Sequence, residues 1–339
     1  MTTKDKKLKI ITTEEHFATK EISAYYIDQV KALNPHFQDA YSINDKYSPS
    51  LEQIADLADG RIADMDKHGI DMQVLSYTSP GLQMVAGSEA AHVAKKANDL
   101  VGTAMKNYPD RFSGFASLPT ADVKAAVYEL ERCVNELGMN AAIINGRTNN
   151  LFLDHPSFEP ILATAEKLET PIYIHPVVPP KAVYDTYFDG LDPLVSARFS
   201  TAGWGWHNEA GIHGVRMMAA GVFDKYPNLQ IILGHWGEMA TFYLERISNV
   251  LTPVSKNLDR SYSEYFQNNF YITPSGMFSV PSLLHSMQII GADRILYAVD
   301  YPYVPHDGAR AFLENAPISE ADKHKIGYQN VESLLKLKF

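Results

Sequence analysis

The sequence predicts an α/β fold, specifically a (β/α)8 TIM barrel with insertions after strands 1 and 5. Two observations carry this. Eight short apolar runs rich in β-branched and aromatic residues alternate with helical patterns, and most of the runs end in Gly, Pro, His or Asp. Such strict alternation calls for a parallel, closed sheet with helices outside it.

The predicted strands are LKIITTEEHF (8–17), DMQVLSYT (71–78), FSGFASLP (112–119), MNAAIIN (139–145), PIYIHP (171–176), LQIILGH (229–235), NFYITPSG (269–276) and RILYAVDYP (294–302). Between them lie helical segments such as SEAAHVAKKANDLVGTAMKNYP, VKAAVYELERCVNELG and SFEPILATAEKLE. Two connections are oversized, residues 18–60 after the first strand and 177–205 after the fifth. Both would leave the C-terminal rim, where barrel enzymes build their sites, and read as pocket walls, lids or subunit contacts. No repeat or linker divides the chain, so a single domain over residues 1–339 is expected. A doubly wound open sheet is disfavoured because no Gly-rich phosphate loop follows the first strand.

A net charge of −10 argues against nucleic-acid and anionic-membrane partners. No run approaches the roughly 18 apolar residues of a membrane span. The basic start MTTKDKKLKIITTEEHF lacks the apolar stretch of a secretory leader. The lone cysteine, Cys133, allows no disulfide within the chain and fits a reducing compartment, so a cytoplasmic location is expected. Tyr and Phe are plentiful, at 19 and 15, enough for a core and for some rings to line a pocket for a flat ligand.

The chemistry-bearing residues fall at strand ends. Glu14 and His16 end strand one, His175 strand five, His235 strand six and Asp300 strand eight. A lone histidine at a strand end is usually a satisfied core or surface residue, but several on one rim describe a site for a divalent metal. In the run EEH, alternation puts Glu14 and His16 on the inner face and turns Glu15 toward helices or solvent. A bulge between them would break that argument. Glu238, three residues after His235, could orient its imidazole, or could simply be a helix-start carboxylate. Glu209 and His213, spaced i, i+4, read as a structural pair. Trp204, Trp206 and His207 could flank an aromatic ligand or only pack. Arg246 by itself reads as a surface ion-pair residue.

Several segments resemble the amidohydrolase superfamily, in particular its metal-dependent decarboxylases of hydroxybenzoates and of aminocarboxymuconate semialdehyde. They are EEHF (14–17), GFASLP (114–119), PIYIHP (171–176), residues 204–238 (WGWHNEAGIHGVRMMAAGVFDKYPNLQIILGHWGE), NFYITPSGMF (269–278) and GADRILYAVDYPY (291–303). The Glu-x-His start is most similar to 2,6- and 2,3-dihydroxybenzoate and salicylate decarboxylases. The resemblance implies metal ligands Glu14, His16, His175 and Asp300, with Asp300 also moving a proton. It implies a catalytic His235 partnered by Glu238, and Arg246 on the substrate carboxylate. Strand four ends IINGR, without the bridging lysine of two-metal members, so one Zn²⁺ or Mn²⁺ per chain is implied. The implied activity is non-oxidative decarboxylation of a hydroxybenzoate-like acid by a homodimer or homotetramer. The alternative is a metal-dependent hydrolase of a lactone or amide. PSGMF (274–278) and Asp-Tyr-Pro (300–302) depart from the TSGNF and Asp-Trp-Pro of the hydroxybenzoate enzymes, which bears on ring recognition rather than on the metal.

Overall fold

The computed structural model describes residues 8–42 and 47–337. The basic stretch at residues 1–7, considered above for a leader, lies outside them.

Seven strands form one parallel sheet in sequence order: β1 (Ile11–Phe17), β2 (Met72–Tyr77), β3 (Phe112–Ser117), β4 (Ala141–Asn145), β5 (Ile172–His175), β6 (Ile231–Leu233) and β7 (Phe270–Ile272). The expected eighth strand is not a regular strand. Residues 294–302 instead make single parallel bridges to each edge of the sheet, Ile295 to Ile272 of β7 and Ala298 to Thr13 of β1. Leu296 N–H donates to the Ile272 carbonyl at 2.9 Å, and Thr13 N–H to the Tyr297 carbonyl at 2.8 Å. Pairing stops there for a physical reason. β1 carries a bulge between Thr12 and Glu15, with Glu14 at φ 67°, and Asp300 lies at φ 67° on the opposite side. Two chains that leave extended geometry at facing positions cannot hold a continuous ladder.

Alternation along the strands separates two cores. Ile11, Met72, Val74, Phe115, Ala141, Ile143, Tyr173, Ile232 and Leu296 pack together inside the curled sheet. Their strand neighbours Leu75, Tyr77, Ala142, Ile144, Ile172, Ile174, Ile231 and Leu233 face outward into a larger core shared with the helices. Every strand of a barrel-like sheet must be apolar on both faces, and these runs are.

The outer layer is built from α1 (Asp59–His68), α2 (Gly87–Asn107), α3 (Val123–Asn135), α4 (Glu159–Leu168), α5 (Gly205–Ala219), α6 (Ala240–Leu251), α7 (Tyr262–Asn269) and α8 (Val280–Ile290). α2 shows why such segments become helices. Ala90, Val93, Ala94, Ala97, Val101 and Ala104 recur at helical spacing and are its buried stripe. Ends are set by side chains: Asp122 accepts from Ala125 N–H to start α3, and Ser261 and Glu264 form a reciprocal box that starts α7.

Both oversized connections fold into short helical turns, and they pack on each other. Asn34 from the first donates to the Ala197 carbonyl of the second at 3.2 Å, and the Tyr41 and Thr201 hydroxyls lie 2.8 Å apart. Arg198 donates to the Ala40 carbonyl at 2.8 Å.

Candidate metal centre

Glu14, His16, His175 and Asp300 come together at the C-terminal ends of β1, β5 and the eighth segment. One ligand atom from each lies within 4.8 Å of the others. His16 Nε2 is 3.1 Å from Asp300 Oδ1, and His175 Nε2 is 3.3 Å from Glu14 Oε1.

Each side chain is oriented by its remaining polar atom. His175 Nδ1–H donates to the Pro176 carbonyl at 2.9 Å, which fixes the lone pair on Nε2 and aims it at the cluster. His16 Nδ1 meets the Ser76 hydroxyl at 2.9 Å. On Glu14, one oxygen is held by a cradle of hydroxyls: Tyr173 and Ser275 donate to Oε2, and Thr273 reaches it at 3.4 Å. The other oxygen, Oε1, and His16 Nε2 are buried without a hydrogen-bond partner among the described residues. A buried polar atom left unpaired costs about 1–3 kcal/mol, so two of them aimed at one point call for a ligand. Two carboxylates and two imidazoles with free lone pairs fit a divalent cation.

The backbone around the cluster is strained in a consistent way. Glu14, His235, Glu238, Ser275 and Asp300 all have positive φ although none is glycine. Gly234 is needed for close approach. A Cβ there would lie 2.7 Å from the Tyr173 hydroxyl and 3.1 Å from Glu14 Oε1.

Glu14 rather than Glu15 enters the cluster, but strand alternation is not what puts it there. The bulge between Thr12 and Glu15 adds one residue to β1 relative to β2, and Glu14 turns into the cluster through its left-handed backbone. Glu15 does not reach solvent. It is fully buried, and its carboxylate accepts from Val299 N–H at 3.0 Å and Gln73 Nε2 at 3.2 Å.

His235 and Glu238 meet as expected, with Nδ1 to Oε1 at 2.8 Å. No regular helix begins there. Residues 235–239 form a tight turn in which His235, Trp236, Glu238 and Met239 all have positive φ, just ahead of α6, and Glu238 gives both oxygens to His235 and His207 rather than to the helix N-terminus. His235 Nε2 faces Asp300 Oδ2 at 3.8 Å. Burial opposes charge on His235, but the Glu238 and Glu14 carboxylates outweigh it and raise its pKa well above the ordinary 6.5. Glu238 shows the converse. Burial would raise it, yet His235 and His207 hold it down to about 2.

His207 is more than packing. Its Nδ1 lies 2.9 Å from Glu238 Oε2, and its ring is centred 4.3 Å from that of His235. Rings continue outward through Trp206 to Tyr41, which brings the two long connections to the edge of the site. Glu209 and His213 are structural, though not as a pair. Glu209 bonds Arg147, and His213 Nε2 accepts from Leu153 N–H at 2.9 Å. Burial lowers His213 to about 3, which keeps it neutral for that role.

Arg246 is the exception among the expected site residues. It stands exposed on α6 beside Phe242, Glu245 and Asn249, lining an open surface groove. Among the described residues no hydrogen bond or ion pair ties it to His235, Glu238 or the metal cluster. Of the two departures from the hydroxybenzoate pattern, Met277 is 48% exposed, and Tyr301 stacks on His306 at 4.2 Å between centroids.

Tyr173, Thr273, Ser275 and Ser76 were not picked out by sequence reasoning as parts of the site, and His207 was expected only as a possible flank of an aromatic ligand. Tyr173 was reachable, since it precedes His175 by two residues and shares its strand face. Ser275 sits in the PSGMF segment but gives no periodic signal.

The amidohydrolase family profile matches residues 16–337. The chain belongs to the amidohydrolase family. Glu14 lies two residues before the matched span. Among relatives, the chain is similar to a γ-resorcylate decarboxylase of a Polaromonas strain, 37% identical over 342 residues, covering 96% of this chain and 98% of that protein. A crystal structure of a dihydroxybenzoic acid decarboxylase from Polaromonas with bound manganese and 2-nitroresorcinol superposes with a TM-score of 0.82 at 36% identity, covering 97% of each chain. A 5-carboxyvanillate decarboxylase from Novosphingobium aromaticivorans, complexed with manganese and 4-hydroxy-3-methoxy-5-nitrobenzoic acid, gives a TM-score of 0.89 at 32% identity, covering 99% of this chain and 98% of that one.

Proposed function

We propose that this amidohydrolase is a metal-dependent, non-oxidative decarboxylase of an ortho-hydroxybenzoate. The observation that carries the reading is the pair of unpartnered buried atoms, Glu14 Oε1 and His16 Nε2, aimed into a cluster with His175 and Asp300. Relatives named as decarboxylases of such acids, over nearly the whole chain, support it. The fold is read as a closed (β/α)8 barrel in one domain, with the excursions after β1 and β5 walling the site.

A divalent ion held by Glu14, His16, His175 and Asp300, manganese or zinc, would supply positive charge for an ortho phenolate and its carboxylate. The protein's own part is proton handling and placement. Glu238 fixes His235 through Nδ1, leaving Nε2 toward Asp300. The Asp300–His235 pair delivers a proton to the ring carbon that bears the carboxylate. The bond from that carbon to the carboxylate then breaks, its electrons restore the aromatic ring, and CO₂ leaves. The hydroxyl cradle on Glu14 limits reorganisation during this step.

Since α6 presents Arg246 outward, it can meet a substrate carboxylate only across a contact between copies of this chain, in a homodimer or homotetramer. The exposed Phe242 and Tyr243 on the same helix suit such a contact. Light scattering together with Arg246→Ala tests this: an assembly of at least two chains is expected, with a rise in KM in the variant.

The test of function is to follow salicylate, 2,3-dihydroxybenzoate, 2,6-dihydroxybenzoate and 3-hydroxybenzoate by chromatography with metal-replete enzyme. At least one ortho acid should lose CO₂ and gain one ring deuterium in D₂O. The meta isomer should survive, because its oxygen cannot share charge with the carboxyl-bearing carbon. Survival of every ortho acid with cleavage of a lactone or amide would favour hydrolysis instead.

A further inference from the structure

Beneath the metal centre lies a second group with metal-like composition, Asp64, His68 and His306. Its polar atoms are already spoken for. His306 Nδ1–H donates to Asp64 Oδ2 at 2.6 Å, and His306 Nε2 accepts from Gln73 Nε2 at 2.8 Å. Gln73 is the hub. Its second N–H donates to Glu15 Oε2 at 3.2 Å, and its carbonyl oxygen accepts from Arg61 Nη1 at 3.3 Å. Both donors of this buried amide are used and its oxygen is bonded.

The chain of bonds ends on the metal cluster's backbone. Arg61, 1% exposed, donates through Nη2 to the His16 carbonyl at 2.6 Å and through Nε to the Asp56 carbonyl at 2.7 Å. Glu15 Oε1 accepts from Val299 N–H, the residue before Asp300. Tyr301, the residue after Asp300, stacks on His306 and has the Arg61 guanidinium 4.9 Å from its ring. Its carbonyl accepts from His16 N–H at 2.6 Å. Non-ligand side chains thus grip the backbone around both His16 and Asp300.

We propose that Gln73, Arg61, Glu15 and His306, braced by Asp64, form a positioning array that sets the spacing of His16 against Asp300, and that the Asp64–His306 end holds no metal of its own. This rests on the metal-centre reading above. His16 is in register with Ser76 of β2, but between His16 and Asp300 there is no regular ladder, only single bridges from the eighth segment, and the array spans that side. Buried partners that orient metal ligands commonly change metal affinity by about 10–100-fold when removed.

The experiment is Mn²⁺ titration of metal-free full-length protein, read by electron paramagnetic resonance, with thermal melts alongside. Wild type should bind one Mn²⁺. Gln73→Leu and Arg61→Met should bind it about 10–100-fold more weakly, with an altered bound spectrum. Arg61→Lys should recover part of the loss, because it keeps one donor for the His16 carbonyl. Asn98→Leu is the control. Asn98 is buried and bonded to Ser117 and Glu129, away from the centre, so its variant should melt lower with Mn²⁺ affinity unchanged. Wild-type affinity and spectrum in both array variants would overturn the array alone. So would a second Mn²⁺ lost on His68→Ala. If either array variant fails to fold, the other and Arg61→Lys still read the same quantity. Weak binding in the variants with no CO₂ release from any ortho acid would sink the decarboxylase reading and leave the array standing. Absence of Mn²⁺ binding in wild type would overturn both.

Discussion

Glu14, His16, His175 and Asp300 on one side, and Asp64, His68 and His306 on the other, offer a cation similar ligand types, and both groups contain buried imidazoles. They differ in what is left over. In the first, the second polar atom of each imidazole is tied to a neighbour, and Glu14 Oε1 and His16 Nε2 are left without partners. In the second, both nitrogens of His306 are bonded, and His68 Nδ1 sits 2.9 Å from the Asp64 carbonyl. Composition and spacing alone would call both metal sites. Donor and acceptor accounting separates them, since a buried group that lacks a partner is costly unless a ligand completes it. A third group, His235, Glu238 and His207, lies between the two. Glu238 uses both oxygens, while His235 keeps Nε2 toward Asp300.

If the unsatisfied cluster is the reactive one, the largest effect belongs to Asp300. Asp300→Asn should lower kcat by about 10³-fold or more while metal is partly retained, because an amide oxygen can ligate but cannot carry a proton. Steady-state rates and elemental analysis check this, and near wild-type turnover would remove Asp300 from the chemistry. His235→Asn comes next, with kcat down about 10²–10³-fold and metal content unchanged. Equal loss of both would make His235 a ligand.

The adjacent glutamates sharpen the contrast, since one belongs to each region. Glu14→Gln should release most of the metal in a competition with a chelator. Glu15→Gln should retain more of it than Glu14→Gln, weakened no further than the other array changes, and lose about 1–3 kcal/mol of stability, because one of the two N–H groups, of Val299 or Gln73, would then face an amide donor. A reversal would mean that the bulge places Glu15 in the coordination sphere.

Glu238 predicts a pH signature. Its folded pKa of about 2 lies below the ordinary 4.5, so the unfolded chain takes up a proton first as the solution is acidified. Its contribution is fully present above pH 4.5 and is lost as pH falls from there toward 2. Acid unfolding of Glu238→Gln should therefore be less steep than wild type across that window, and an identical slope would contradict the paired geometry. The smallest effect is expected from His68→Ala. It should cost about 0.5–1 kcal/mol and leave metal stoichiometry at one.

Much of this was legible in the sequence because it depends on strand ends. Period-two alternation and runs closed by His or Asp located seven strands and the four clustered side chains. What it could not show was where alternation breaks. The left-handed backbone at Glu14 and Asp300, and hence the irregular eighth segment, depends on contacts between residues nearly 300 positions apart. The hydroxyl cradle on Glu14 and the Gln73 hub join residues from different strands that share no spacing rule. Which way α6 presents Arg246 is likewise not written in the spacing around it.

The most direct measurement is a crystal of the protein grown with Mn²⁺ and recorded near the manganese absorption edge. One anomalous peak should lie between Glu14 Oε1, His16 Nε2, His175 Nε2 and Asp300, with none at Asp64, His68 and His306. A peak at the second group, or no peak at the first, would contradict the account.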